Sequence, residues 1–166
     1  MSGGRAYSVT LAKDLIRVEV GTILYALEVA RIREIVNPLP IIELPRERPF
    51  VLGVADYREQ VVAVVDLRRL FGLPAQETNR RTKWVILETS GMLVGVVVDA
   101  VLNVFSSAED HQRDVPVLDD RHRGRGITSA YRHEGQLVFL LDAERLVAPA
   151  MEIPPAELPS LPSEAP

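Results

Sequence analysis

The sequence predicts an all-β fold with short helices, arranged as two related halves, and three observations carry that prediction. Its apolar runs are short, rich in Val and Ile, and bounded by glycine, proline or charged turn residues, as strands are and long helices are not. The stretch 50–73, FVLGVADYREQVVAVVDLRRLFGL, packs strand, turn, strand and short helix into one continuous unit. That unit then returns: 53–71 and 126–147 share a glycine, a strand, a Tyr-Arg turn, an apolar strand, an aspartate and a short amphipathic helix. Upstream, 24–36 lines up with 93–105, with Ala26 facing Gly95. Two such halves predict a duplicated small antiparallel barrel in which each half covers the other's open edge.

Taken in order, residues 14–20 alternate apolar and polar and 23–29 follow after Gly21-Thr22, which predicts a hairpin. In VARIREIV (29–36), Val29, Ile32, Ile35 and Val36 recur three and four apart, the spacing of a short helix. Pro38, Pro40, Pro45 and Pro49 then hold an extended connector whose Ile41, Ile42 and Leu44 cover an open side of the core or form an edge strand. Val51, Leu52 and Val54 begin one strand and 61–65 form its partner, joined by a turn whose tip displays Tyr57 and Arg58. Asp66 reads as the N-cap of a helix that Gly72 and Pro74 end. After a polar loop, 83–88, 92–99 and 100–105 read as strands, and 106–125 as a mobile loop or a frayed helix. Strands at 126–131 and 136–141 and a helix at 142–147 complete the fold. The expected organisation is a flexible N-terminus (1–13), a folded domain (14–147) and a disordered, proline-rich tail (148–166).

Composition narrows the chemistry. A net charge of −4 argues against a broad nucleic-acid or anionic-membrane footprint. The absence of cysteine removes disulfides, thiolate metal sites and cysteine nucleophiles. No apolar run approaches the roughly 18 residues of a membrane span, and the first residues lack a signal peptide's apolar core, so a cytoplasmic protein without membrane insertion is expected. Asp66, Asp99 and Asp142 each follow an apolar strand, and their recurrence in both halves favours caps or turns over catalysis. His111, His122 and His133 lack metal-ligand spacing and read as solvated side chains. Neither an enzyme nor a cofactor or metal site is expected.

These pieces, in this order, resemble the CheW-like family of bacterial chemosensory adaptors. The resemblance is carried by YALEVARIREIV, the proline-bounded connector, FVLGVADYREQVVAVVDLRRLFGL, LVGVVVDAVLNV and GQLVFLLDAERLV, and spans about 14–147. It implies two interlocked SH3-like five-stranded β-barrels. It also implies a non-catalytic adaptor that couples the cytoplasmic tip of methyl-accepting chemoreceptors to the regulatory domain of a CheA-type histidine kinase and supports array assembly. Arg58 corresponds to the arginine of the family's Asn-Leu-Arg-Gly turn, implicated in partner binding. Ile32 and Glu34 match positions implicated in kinase or receptor contact, Tyr57 and Glu59 flank the arginine, and Gly53 and Gly95 match glycines that shape the same region.

By residue chemistry alone, Ile32 reads equally as core, the glycines as sites of close strand packing, and Arg58 as the residue with least to do structurally. The chain departs from the family where Asp56-Tyr57-Arg58-Glu59 replaces Asn-Leu-Arg-Gly, putting a β-carbon where glycine tolerates positive φ. It departs again over 109–125, which is charged and shortened. Two other readings stay open: a divergent protein that binds receptors but not the kinase, and a small-ligand or nucleic-acid-binding barrel.

Overall fold

The computed structural model describes residues 13–45, 48–107, 112–113 and 126–151, with the backbone alone at 112, 113 and 151. Most of the expected N-terminus, most of 106–125 with His111 and His122, and the tail beyond 151 lie outside the described residues.

The first half supplies β1 (Asp14–Val20), β2 (Ile23–Glu28), β3 (Ile32–Val36), β4 (Val51–Tyr57), β5 (Gln60–Asp66) and α1 (Leu67–Leu70). Then come β6 (Lys83–Thr89), β7 (Met92–Val98), β8 (Ala100–Ser106), β9 (Gln112–Arg113), β10 (Ile127–His133), β11 (Gln136–Leu141) and α2 (Ala143–Met151). Helix α2 continues through Pro149, into residues whose proline content had suggested the tail. Two sheets result, ordered β8-β1-β2-β11-β10-β9 and β3-β6-β7-β5-β4.

The duplication is legible in the register. Hairpins β1–β2 and β6–β7 centre the two sheets, and each gains a parallel neighbour, β11 on β2 and β5 on β7. Leu140 lies opposite Ala26 in one pair and Val64 opposite Gly95 in the other, so these two small residues occupy matching places. Strand β3 follows β2 but pairs with β6, and β8 follows β7 but pairs with β1. The halves thus exchange strands.

Three local expectations are corrected. Residues 29–36 form a 3-10 turn, Val29–Arg31, followed by β3, because a bulge between Ile32 and Glu34 inserts a residue into a period-two pattern and so imitates helical spacing. In the second copy, Tyr131 and Arg132 lie within β10 rather than in the turn. The tip is Glu134-Gly135, and His133 faces Gln136 there as Tyr57 faces Gln60 in the first copy. His133 is buried and stacked on Phe105 at 4.2 Å rather than solvated, because β10 carries it onto the face that holds the sheet's smaller core.

The three aspartates do hold turns and helix starts. Asp66 Oδ1 accepts the N–H of Arg68 at 3.1 Å, and Asp142 Oδ1 accepts that of Arg145 at 3.0 Å. Asp99, between β7 and β8, accepts the N–H of Gly21 at 2.7 Å.

Between the sheets lies the main core. Ile16, Val18 and Leu27 meet Val85, Leu87, Val94, Val96 and Val98, with Leu67 and Leu146 contributed by the helices. Each sheet has a smaller core on its other face: Trp84, Ile86, Val62, Val64 and Tyr57 in one, Leu15, Ala26, Phe105, Tyr131 and Val138 in the other. The connector does cover an open edge. Ile42 exchanges two backbone hydrogen bonds with Val54, at 2.8 and 3.0 Å, while Leu39 and Ile41 pack on the smaller core.

Gly53 makes that approach possible. Its φ is +147°, and a β-carbon there would lie 2.2 Å from the Ile42 carbonyl oxygen. Gly95 has no such constraint, since an added β-carbon would meet Ile86 Cδ1 at 3.4 Å, Trp84 Cε3 at 3.5 Å and the Ala63 carbonyl oxygen at 3.8 Å, all ordinary contacts. Urea unfolding should therefore separate them: Gly53→Ala is expected to cost about 2 kcal/mol or more, Gly95→Ala within about 1 kcal/mol. At the β4–β5 tip, Arg58 and Glu59 both have positive φ, +47° and +67°, a geometry that glycine adopts at no steric cost. Glu59→Gly is expected to raise stability by roughly 0.5–1 kcal/mol in the same assay.

Candidate functional site

The bulge in β3 decides which side chains meet. It sends Ile32 to the main core, where it packs half-buried, and turns Glu34 toward the opposite face, beside the end of β4. Tyr57, the last residue of β4, is buried at 4% exposure and so is not displayed at the tip as expected; its ring belongs to the smaller core. Only its hydroxyl reaches the rim.

There the phenol donates to Glu34 Oε1 at 2.5 Å. The Arg58 guanidinium closes the group with two parallel bonds, Nε to Oε1 and Nη2 to Oε2, both at 2.8 Å, and lies 5.7 Å from the Tyr57 ring centroid. Hydrogen bonds from Arg58 and Tyr57 hold the Glu34 carboxyl down to about 2, from an ordinary 4.5. Burial, then the Glu34 carboxylate, pushes the Tyr57 phenol up. The glutamate is ionised and the phenol neutral at neutral pH, which is the state the geometry requires.

The tip backbone supports this plate. Asp56 Oδ1 accepts the N–H of Glu59 at 2.9 Å, holding the left-handed turn that a glycine would otherwise favour. The turn therefore holds its left-handed geometry with a non-glycine residue at both tip positions. Arg58 keeps a side chain 68% exposed despite its bidentate partner, so it is both oriented and accessible.

Of the expected site residues, Glu34, Tyr57 and Arg58 converge, and Glu59 flanks them with its side chain in solvent. Ile32 lies on the other face of β3, while Gly53 and Gly95 act through packing of the same sheet. Sequence reasoning passed over Val61, which stands opposite Asp56 and is 77% exposed. Its apolar run hides it: Val62 and Val64 bury on one face while Val61 lies at the uncovered end of the other, so alternation is the signal that finds it. No described helix is long and apolar enough to cross a membrane.

A family model described as the CheW-like domain matches residues 14–150. The chain is 25% identical over 134 residues to the chemotaxis protein CheW of Thermotoga maritima, covering 81% of this chain and 87% of that one. It is 27% identical over 135 residues to the CheW of Rhizobium meliloti, covering 80% and 85%. Among solved structures, the scaffolding protein TtCheW from Thermoanaerobacter tengcongensis superposes with a TM-score of 0.72 at 20% identity, over 82% of this chain and 92% of that one. A match that runs from β1 into α2, across the exchanged strands and the Glu34–Tyr57–Arg58 plate, places this chain in the CheW-like family.

Proposed function

We propose that the protein is a cytoplasmic, non-catalytic chemosensory adaptor that couples methyl-accepting chemoreceptors to a CheA-type histidine kinase and supports array assembly. Its two sheets correspond in this reading to the family's interlocked SH3-like barrels. The observation that carries the proposal is the Arg58 guanidinium, held flat by Glu34 and yet exposed at the rim of a rigid sheet. Two of its donors are engaged by Glu34, and the side chain stays 68% exposed, which leaves guanidinium surface for a partner's carboxylate or carbonyl groups. Val61 adds exposed apolar area on the other face of the same hairpin end, opposite Asp56.

Array assembly has its own support. The β4–β5 tip carries Asp56 and Arg58, and at the matching positions of the β10–β11 tip stand Arg132 and Glu134. The two ends of the molecule's frame therefore present opposite charge orders. Such ends suit head-to-tail contact with neighbours of the same fold.

In a pull-down against the regulatory domain of a CheA-type kinase and a receptor's cytoplasmic tip, the wild type is expected to retain both, and Arg58→Ala to lose at least one at unchanged melting temperature. Retention of the receptor alone by the wild type would identify a kinase-blind member of the family, and retention of neither would overturn the adaptor reading. A second prediction concerns protonation. The lowered Glu34 pKa makes its ion pair fully present above the ordinary value of 4.5 and lost as pH falls through about 2. Carboxyl NMR titration should find Glu34 with a midpoint near 2 in the wild type and nearer the ordinary value in Arg58→Ala.

A further inference from the structure

Two polar clusters are built alike with their charges exchanged. In the first, Asp99 at the β7–β8 crossover accepts the N–H of Gly21, in the β1–β2 turn, at 2.7 Å and pairs with Arg68 of α1 at 2.5 Å. In the second, Glu144 of α2 accepts the N–H and hydroxyl of Ser90, in the β6–β7 turn, at 2.9 and 2.6 Å. Glu144 also pairs with Arg31, at the β2–β3 crossover, at 3.2 Å. Each cluster ties together a helix, a crossover and the hairpin turn of the other sheet. The helix carries the cation in one cluster and the carboxylate in the other.

A duplicated fold needs such a distinction. The β4–β5–α1 and β10–β11–α2 units share one design, and each adds in parallel, in matching register, to the second strand of a hairpin. Both β2 and β7 therefore suit either unit. Moreover β7 lies far closer to β11 along the chain than β2 does, so loop closure favours the wrong partner for the second unit. Exchange would set Arg68 beside Arg31 and Glu144 beside Asp99. The Arg68 and Asp99 side chains are only 19% and 18% exposed, so solvent would screen a like charge there poorly.

We propose that the opposite polarity of these clusters sorts the two hairpin–helix units onto their proper strands during folding. The second cluster is the more open, with Arg31 and Glu144 side chains 45% and 37% exposed, so the discrimination rests mainly on Arg68 and Asp99.

The test gives both clusters one polarity. In Arg68→Glu/Asp99→Arg, each helix carries a glutamate and each crossover an arginine, so a local ion pair remains while the distinction is lost. Refolding from urea, followed by the fluorescence of Trp84 and by size-exclusion chromatography, is expected to show loss of the wild-type elution peak and an added slow phase. Adding Arg31→Glu/Glu144→Arg restores opposite polarity in mirror form and is expected to recover wild-type refolding. A two-residue variant that refolds like the wild type overturns the proposal, as does a four-residue variant that refolds no better than the two-residue one.

Discussion

Neither sheet closes without a strand that belongs, by chain order, to the other half. β3 leaves the β1–β2 hairpin to cover the edge of β6, and β8 leaves β6–β7 to cover the edge of β1. Both crossings run beside the main core, whose residues come from both sheets and both helices. Separating the halves would break four strand pairings, β1–β8, β2–β11, β3–β6 and β5–β7, and uncover the apolar faces of both sheets at once. Unfolding of one half is therefore coupled to unfolding of the other, and the plate at the β4–β5 tip inherits its rigidity from the whole molecule rather than from its own hairpin.

Much of this was legible because the duplication left its mark on side-chain size. Ala26 and Gly95 are small for the same reason: each lies in the central strand of a sheet, opposite a parallel neighbour and over a small core. The aspartates that end β5 and precede α2 were legible because a side-chain acceptor where a strand runs straight into a helix satisfies one of the helix's first free N–H groups. Two readings failed where the backbone breaks its period. The bulge in β3 spaces Ile32 and Ile35 three apart, which on sequence alone is a helix. In the second copy, matching Tyr131-Arg132 to Tyr57-Arg58 aligned side chains that resemble each other rather than strands of equal length. Tyr57 matches His133, and the two share a place at the rim of a small core without sharing chemistry.

The site was half legible for a related reason. Arg58 announces itself, since a charged residue between two apolar strands has few other places to be. Its partner is marked only by the family resemblance. Glu34 is distant in sequence, and only strand exchange brings β3 across to the sheet that carries Tyr57. Nothing local to VARIREIV says that its glutamate will meet a phenol from another hairpin, or that Ile32, two residues earlier, will turn to the main core instead.

Pre-organisation is what the plate adds to a bare charged tip. A free arginine loses several rotatable bonds when it binds, whereas Arg58 is already oriented by two hydrogen bonds and by the Tyr57 ring beneath it. Glu34 itself is fixed by the phenol of a buried side chain, so the chain of constraint runs from core to surface without a flexible link. At the matching tip of the second sheet the backbone is nearly the same, with Glu134 and Gly135 in left-handed geometry, but His133 turns inward on Phe105 and no arginine stands at the Arg58 position. One frame thus displays two ends that differ in side chains and not in shape. That division lets sequence change at either end alter its surface chemistry while the exchanged strands keep both ends in place.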